Sequence, residues 1–263
     1  MGPTIVFRPT SARVYAVLCW AVALALLLAF ATNGGLTEIL QYGPVALALA
    51  ALGWAVYHGL VRFILGAPML AQIFATFGLA VFLRSAAQAL WGADFHLVKD
   101  PLVQGRLAVG GVFIGLPQLV ASAGALLAFG ALYVFITRTE TGLALQATAQ
   151  DRQAASLMGI DTQRMFALGW ALGGACVGVA GALLATFFYV FPDVGASFAL
   201  LAYVAVALGG FGNVPATLAG GVVVGLVEVL GGLLIDPSLK LIGVFALYLI
   251  VVLWRPQGLF GRF

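Results

Sequence analysis

The amino-acid sequence predicts an all-α fold, a polytopic transmembrane helix bundle of about eight helices, since each span needs about 20 apolar residues to cross a bilayer. Three observations lead there. Hydrophobic residues make up 63% of the 263 positions and charged residues only 8%, against about 45–50% and about 25% in a soluble domain. Mean hydropathy is +1.12. The apolar residues also fall in long windows separated by short stretches of glycine, proline and charge. A soluble core of this size cannot bury so much apolar surface, so the solvent for most of the chain is lipid.

Taken in order, the first window covers residues 14–32 and follows Arg8 and Arg13. Ala29 and Ala31 resemble a signal-peptide cleavage site, but further spans follow and arginines before the window suit a membrane anchor, so a retained first helix is expected. Asn33, Gly34 and Gly35 break it. The second window, 37–58, stops before Gly66 and Pro68, and the third covers 69–91. Residues 93–115 connect it to the fourth, 116–137, and within that connection LAVGGVFIGL (107–116) reads as a short hairpin or a loop. The fifth window, 165–189, ends at Pro192 and Asp193; the sixth, 195–211, is short. A break at 209–215 precedes the seventh window, 214–235, and Asp236 with Pro237 separates it from the short eighth, 240–254. Residues 1–263 read as a single transmembrane domain.

Cytoplasmic loops carry an excess of arginine and lysine. An internal N-terminus puts Arg8, Arg13, Arg62, Arg138, Arg152, Arg164, Arg255 and Arg262 on that side, with Lys99, Arg106 and Lys240 outside and Arg84 within a span. Both termini are then cytoplasmic.

Several classes of chemistry lack their residues. The net charge is +3 and the basic residues are scattered, so nucleic acid is not an expected partner. A P-loop needs lysine directly after glycine, but Lys99 and Lys240 follow Val98 and Leu239. In GGFGNVPATLAGG (209–221), Pro215 stands where a dinucleotide loop needs its third glycine, and no strand precedes it. His58 and His96 stand apart, with no HExxH and no carboxylate cluster, so neither a metal site nor a catalytic residue is nominated. Cys19 and Cys176 lie singly in apolar runs and read as small buried hydrophobes. The expectation is a membrane conduit and not an enzyme, with no cofactor bound by this chain.

Small residues recur four apart at Gly174 and Gly178, at Gly221 and Gly225, and at Gly124 and Ala128, as faces on which helices pack closely. Arg84 stands seven residues before Trp91 and Glu228 seven before Ile235, which places both about 10 Å below the outer ends of their helices at 1.5 Å per residue. Isolated charges at such depth cost about 2.5–3.5 kcal/mol each. Two arrangements relieve that cost: the pair meets across helices or lines an outer vestibule, or Arg84 snorkels while Glu228 is protonated or bonded to a neighbouring helix.

One stretch breaks the oily pattern. The chain has 12 basic and 9 acidic residues, and six of these lie within 138–164. There, Gln153, Ala154 and Ala155 are followed by Gly159 with the spacing of the EAAxxxG signature, glutamine replacing glutamate. A short helix with small residues can dock in a groove of another protein and transmit its movement. Asp151, Arg152, Asp161 and Arg164 would set register and hydrate the surface. On this reading 138–164 is a cytoplasmic coupling loop.

The runs 142–187, 207–230 (ALGGFGNVPATLAGGVVVGLVEVL) and 251–262 (VVLWRPQGLFGR), with 53–83, together resemble the branched-chain amino acid ABC importer permease family. The resemblance covers 53–263. It implies a permease subunit of the bacterial inner membrane that carries no ATPase itself, pairs with a homologous permease, and works with two cytoplasmic ATPases that use ATP and an external solute-binding protein. It implies the ATPase-coupling role for Gln153, Ala154, Ala155, Gly159 and their neighbours. Importers of urea, amides and aromatic acids share the resemblance. Family members begin with a segment ending in an Asn-Phe-Ala-His-Gly type signature that residues 1–52 lack, so the usual first segment is expected to be missing or replaced. A self-contained secondary transporter or channel is the alternative; it calls for inverted repeats or paired mid-membrane breaks, and the break at 209–215 has no second copy.

Overall fold

A computed structural model describes residues 36–96, 105–109, 112–234, 236, 240–255 and 258–259. The expected helix at 14–32 lies outside the described residues. The chain divides into two compact units, one ending at Val190 and the other running from Phe191.

In the first unit, α1 (Leu36–Val56) runs through a π-helical turn, Tyr57–Val61, into a last turn, Arg62–Ile64. The second helix, α2 (Met69–Trp91), starts after Pro68, whose fixed φ and missing N–H suit the position before a first helical turn. Strands β1 (Arg106–Val109) and β2 (Val112–Gly115) pair antiparallel, Arg106 opposite Gly115, so 107–116 opens as a hairpin. It feeds α3 (Leu116–Arg138), and α4 (Glu140–Gln150), α5 (Arg152–Leu157) and α6 (Thr162–Leu184) follow. The backbone of Val190, beyond α6, exchanges hydrogen bonds with His96, beyond α2 (2.9 and 2.8 Å), so the ends of these two helices lie together.

The expected fifth window, 165–189, is shifted. Asp161 accepts a bond from the Arg164 N–H (3.2 Å) and so starts α6 three residues early, and the helix ends at Leu184. The stretch 138–164, expected as a loop, is mostly the helices α4 and α5.

Glycine sets the spacing of α1 and α6. Gly53 lies against the Trp170 backbone and Gly174 against that of Leu49, and a Cβ on Gly178 would fall 2.7 Å from the Ala46 Cα. Without a hydrophobic driving force between helices in lipid, such close backbone contact supplies the association. Gly124 of α3 meets Leu183 of α6. Cys176, expected to be buried, is exposed. It lies about 200° around α6 from Gly174, on the side turned from α1.

The second unit holds α7 (Val194–Gly209), α8 (Val214–Leu234) and α9 (Lys240–Trp254) around Val204, Leu208, Val224, Val244 and Val251. Gly210 (φ 99°) and Gly212 (φ 83°) take the left-handed conformation that turns the chain between α7 and α8. Asn213 then caps α8, accepting from the Ala216 N–H (3.2 Å). Within this unit the close contact of α8 with α7 falls at a neighbouring glycine. A Cβ on Gly221 or Gly225 would meet nothing within 4 Å, whereas Gly220 abuts the Ala205 carbonyl of α7.

Among the described residues, five helices are long and apolar enough to cross a membrane, and α7 and α9 are shorter apolar helices. The fold is an all-α membrane bundle with one small hairpin.

Candidate functional site

The charged stretch 138–164 folds into a rigid knuckle between the ends of α3 and α6. Its first corner is Thr139. The hydroxyl donates to the Phe135 carbonyl (2.6 Å) and accepts from the Gly142 N–H (3.0 Å), so one side chain serves the last turn of α3 and the first of α4. Gln146 reaches back from α4 to the Ile136 carbonyl (2.9 Å). Gly142 lies directly on the backbone of Phe135 and Ile136, where a Cβ would not fit.

The second corner is Asp151. Its carboxylate accepts from the N–H groups of Gln153 (2.8 Å) and Ala154 (3.0 Å) and starts α5. Opposite charge at a helix N-terminus also suits the macrodipole. The third corner is Gly159, at φ 84°. Its N–H bonds the Ser156 carbonyl, and the Ile160 N–H bonds that of Ala155, both at 3.1 Å. This double closure is a Schellman motif, which needs a left-handed residue at that point. Asp161 then caps α6, and its carboxylate also pairs with the Arg164 guanidinium at 2.9 Å.

The structure gives the expected residues different jobs. Ala155 is 4% exposed and packs inward, so it is small because its own chain crowds it. Gly159 is needed for its backbone angle, since nothing stands near its Cβ position. Gln153 and Ala154 are exposed. The Arg152 guanidinium sits 5.4 Å over the Phe166 ring of α6, tying α5 down by a cation–π contact. The apolar residues that project furthest from the knuckle are Leu157 and Met158, 87% and 80% exposed. Sequence reasoning passed over both, because two apolar residues ending a helix look like core. The signal that could have found them is the glycine two and one residues later: a Schellman turn at Gly159 lifts the residues just before it off the bundle.

The same end of the unit carries Arg62, because the π turn of α1 packs Tyr57 and Val61 against Ala167 of α6. Arg62, Arg138, Arg152 and Arg164 therefore share one end. Arg106, on the hairpin that starts α3, stands at the other.

The two charges expected within the apolar layer fall in separate units, Arg84 on α2 and Glu228 on α8. The partner that the structure gives Glu228 is Lys240, the first residue of α9, whose Nζ lies 2.8 Å from Oε1. A long lysine stem reaches along the helix toward a carboxylate deeper in the apolar layer. A bond from Glu228 to a neighbouring helix is one of the two arrangements the sequence allows, but Lys240, expected at the outer surface, is not named there as the partner.

Among the described residues no group of three His, Cys, Asp or Glu side chains is placed to hold a metal. His58 is engaged with the Trp54 carbonyl (3.1 Å) and stacks on the Trp54 ring.

Comparison with known proteins adds the identity of the fold. The family model for the permease component of the branched-chain amino acid transport system matches residues 11–253, a match that reaches further toward the N-terminus than the motifs at 53–263. The chain is 31% identical over 226 residues to the high-affinity branched-chain amino acid transport system permease protein LivH of Escherichia coli, covering 84% of this chain and 73% of that one. It is 28% identical over 232 residues to the corresponding permease protein BraD of Pseudomonas aeruginosa, covering 86% and 76%. It is 31% identical over 149 residues to the ribose import permease protein RbsC of Bacillus subtilis, covering 54% and 43%. No solved structure matches the chain.

Proposed function

The chain belongs to the branched-chain amino acid transport permease family, and from that premise we propose that it is the membrane-spanning subunit of an ABC importer for branched-chain amino acids or a related small polar solute. It forms part of the translocation path together with a homologous permease. Two cytoplasmic ATPases supply the energy and an external solute-binding protein delivers the substrate. The amino-acid assignment rests on the two relatives that cover most of the chain, since the ribose permease matches only 54% of it.

The observation that carries this reading is the knuckle. Its corners at Thr139, Asp151 and Gly159 fix α4 and α5 to α3 and α6, while Leu157 and Met158 project with 87% and 80% exposure. Two apolar side chains on a rigid, charged, capped platform suit insertion into a groove of another protein, and anything that moves the platform moves both long helices. Clustering of Arg62, Arg138, Arg152 and Arg164 at that end supports a cytoplasmic placement for the knuckle.

The test is assembly and transport. Co-expressed with its ATPases and binding protein, the chain should co-purify with the ATPases and drive ATP-dependent leucine uptake in proteoliposomes. Replacing Leu157 and Met158 by aspartate should abolish both while leaving the chain inserted and folded, because neither side chain is part of the core. Uphill uptake by the chain alone, or labelling of 153–159 from the cell exterior, would overturn the proposal.

A further inference from the structure

The end of α3 opposite the knuckle carries a cavity of about 370 Å³ bounded by Arg106 of β1, Phe113 and Gly115 of β2, Pro117 and Gln118 of α3, and Phe187 beyond α6. That volume falls within the range of small-molecule sites, about 300–1,000 Å³. The Arg106 guanidinium forms no ion pair or hydrogen bond with any described residue. It is a planar fork suited to bidentate recognition of a carboxylate. Gln118 folds its carboxamide over Gly115, and a Cβ at Gly115 would occupy the place of its oxygen. Two phenylalanine rings complete the wall.

We propose that this cavity is a reception site for a free α-amino acid with an apolar side chain, in which Arg106 takes the carboxylate, the Gln118 oxygen takes the ammonium, and Phe113 and Phe187 hold the side chain. The inference rests on the importer reading above and adds to it the residues that select the solute. The lining answers each part of such a molecule: a cation for its anion, a neutral acceptor for its cation, and apolar rings for its hydrocarbon. A phosphate-bearing lipid would use the arginine and leave the amide acceptor without a role.

Its place in the fold gives the site a consequence. The cavity joins the hairpin end of α3 to the end of α6, and the knuckle joins the other ends of the same two helices. The 23 residues of α3 span about 35 Å at 1.5 Å per residue. A bound solute and a docked motor therefore act on one pair of rigid helices, and each can shift the other's equilibrium by its differential contacts.

The experiment uses the full chain in phosphatidylcholine nanodiscs with radiolabelled leucine, and the complete importer in proteoliposomes. Leucine should bind saturably to the chain alone. Leucinamide, which lacks the carboxylate, and isocaproate, which lacks the ammonium, should compete about ten- to a hundredfold more weakly, the worth of one charged hydrogen-bonded contact. Arg106→Gln should weaken leucine binding by a similar factor and raise the KM of uptake with the maximal rate unchanged. Arg106→Lys, which keeps the charge and loses the fork, should fall between. Equal leucine binding by wild type and Arg106→Gln overturns the site, as does the absence of saturable binding by the wild-type chain in an importer that transports leucine normally. Rescue of Arg106→Gln uptake by excess binding protein, with leucine binding unchanged, also overturns it and assigns the arginine to an acidic face of that protein. Arg106-dependent capture of phosphatidylglycerol vesicles without leucine binding overturns it in favour of lipid. A wild-type assembly that binds leucine but takes none up overturns the importer reading and leaves the cavity standing.

Discussion

Gly178 of α6 stands so close to Ala46 of α1 that a Cβ on the glycine would fall 2.7 Å from the alanine Cα. The obstacle is backbone, which cannot rotate aside as a side chain would. Gly178→Ala should therefore push the helices apart at this point and cost about 1–3 kcal/mol, the usual range for overpacking. Gly173→Ala, five residues earlier on α6 where a Cβ meets nothing within 4 Å, should be neutral or slightly stabilising because alanine is the better helix former. Thermal unfolding of the two variants in one detergent gives the comparison, and equal midpoints would refute the close-packing account.

The knuckle's corners make a second prediction. Asp151→Ala removes the acceptor for two N–H groups and should cost about 1 kcal/mol of local stability, while Asp151→Asn should keep most of it, asparagine being as good a cap. Gly159→Ala forces a Cβ into a left-handed conformation at a further cost of about 1–2 kcal/mol. Amide exchange across 152–160 should quicken in Asp151→Ala and Gly159→Ala and stay near wild type in Asp151→Asn, with exchange in α7 and α8 unaffected in all three.

How far the sequence foretells these features follows from the physics of each. Long apolar windows and glycine–proline breaks mark α2, α3 and α9 almost to the residue, because hydropathy in lipid is a strong, local signal. The start of α6 is less legible, since a capping aspartate at 161 decides it and not the apolar run. Ala155 and Gly159 are found by spacing, yet their roles are not: smallness serves packing at one and backbone angle at the other, a difference visible only once φ and burial are known. Leu157 and Met158 escape altogether, because hydrophobicity suggests core and a turn reverses it; Lys240 is at the surface as lysine suggests, but its pairing with Glu228 depends on a long stem that reaches across to the next helix. The cavity at Arg106 escapes for another reason, being assembled from three chain segments up to 81 positions apart, Arg106 to Phe187.

Tyr57 supplies a third prediction. Its ring is 1% exposed and its hydroxyl has no hydrogen-bond partner among the described residues. A buried hydroxyl left unpaired costs about 1–3 kcal/mol, so Tyr57→Phe should leave the unfolding midpoint unchanged or raise it. Tyr57→Ala should cost about 3–5 kcal/mol by opening a cavity beside Val61 and Ala167. A marked loss in Tyr57→Phe would show that the hydroxyl is satisfied, for example by a bound water.

The ion pair between Glu228 and Lys240 supplies the last. The Lys240 Nζ stands 2.8 Å from the carboxylate, and the side chains are 49% and 25% exposed, so the attraction is partly screened where water or headgroups reach it. Glu228→Gln leaves an unpaired ammonium and Lys240→Met an unpaired carboxylate at the edge of an apolar layer, and each alone should destabilise the second unit. The double variant removes both charges and the cost of holding them there, so it should recover most of the loss. A coupling energy of about 1 kcal/mol from the four-member cycle is the expected size for a half-exposed pair. Additive losses, with the double variant as unstable as the sum of the singles, would mean that Glu228 and Lys240 hold the helices through other contacts and that their charges do not stabilise each other.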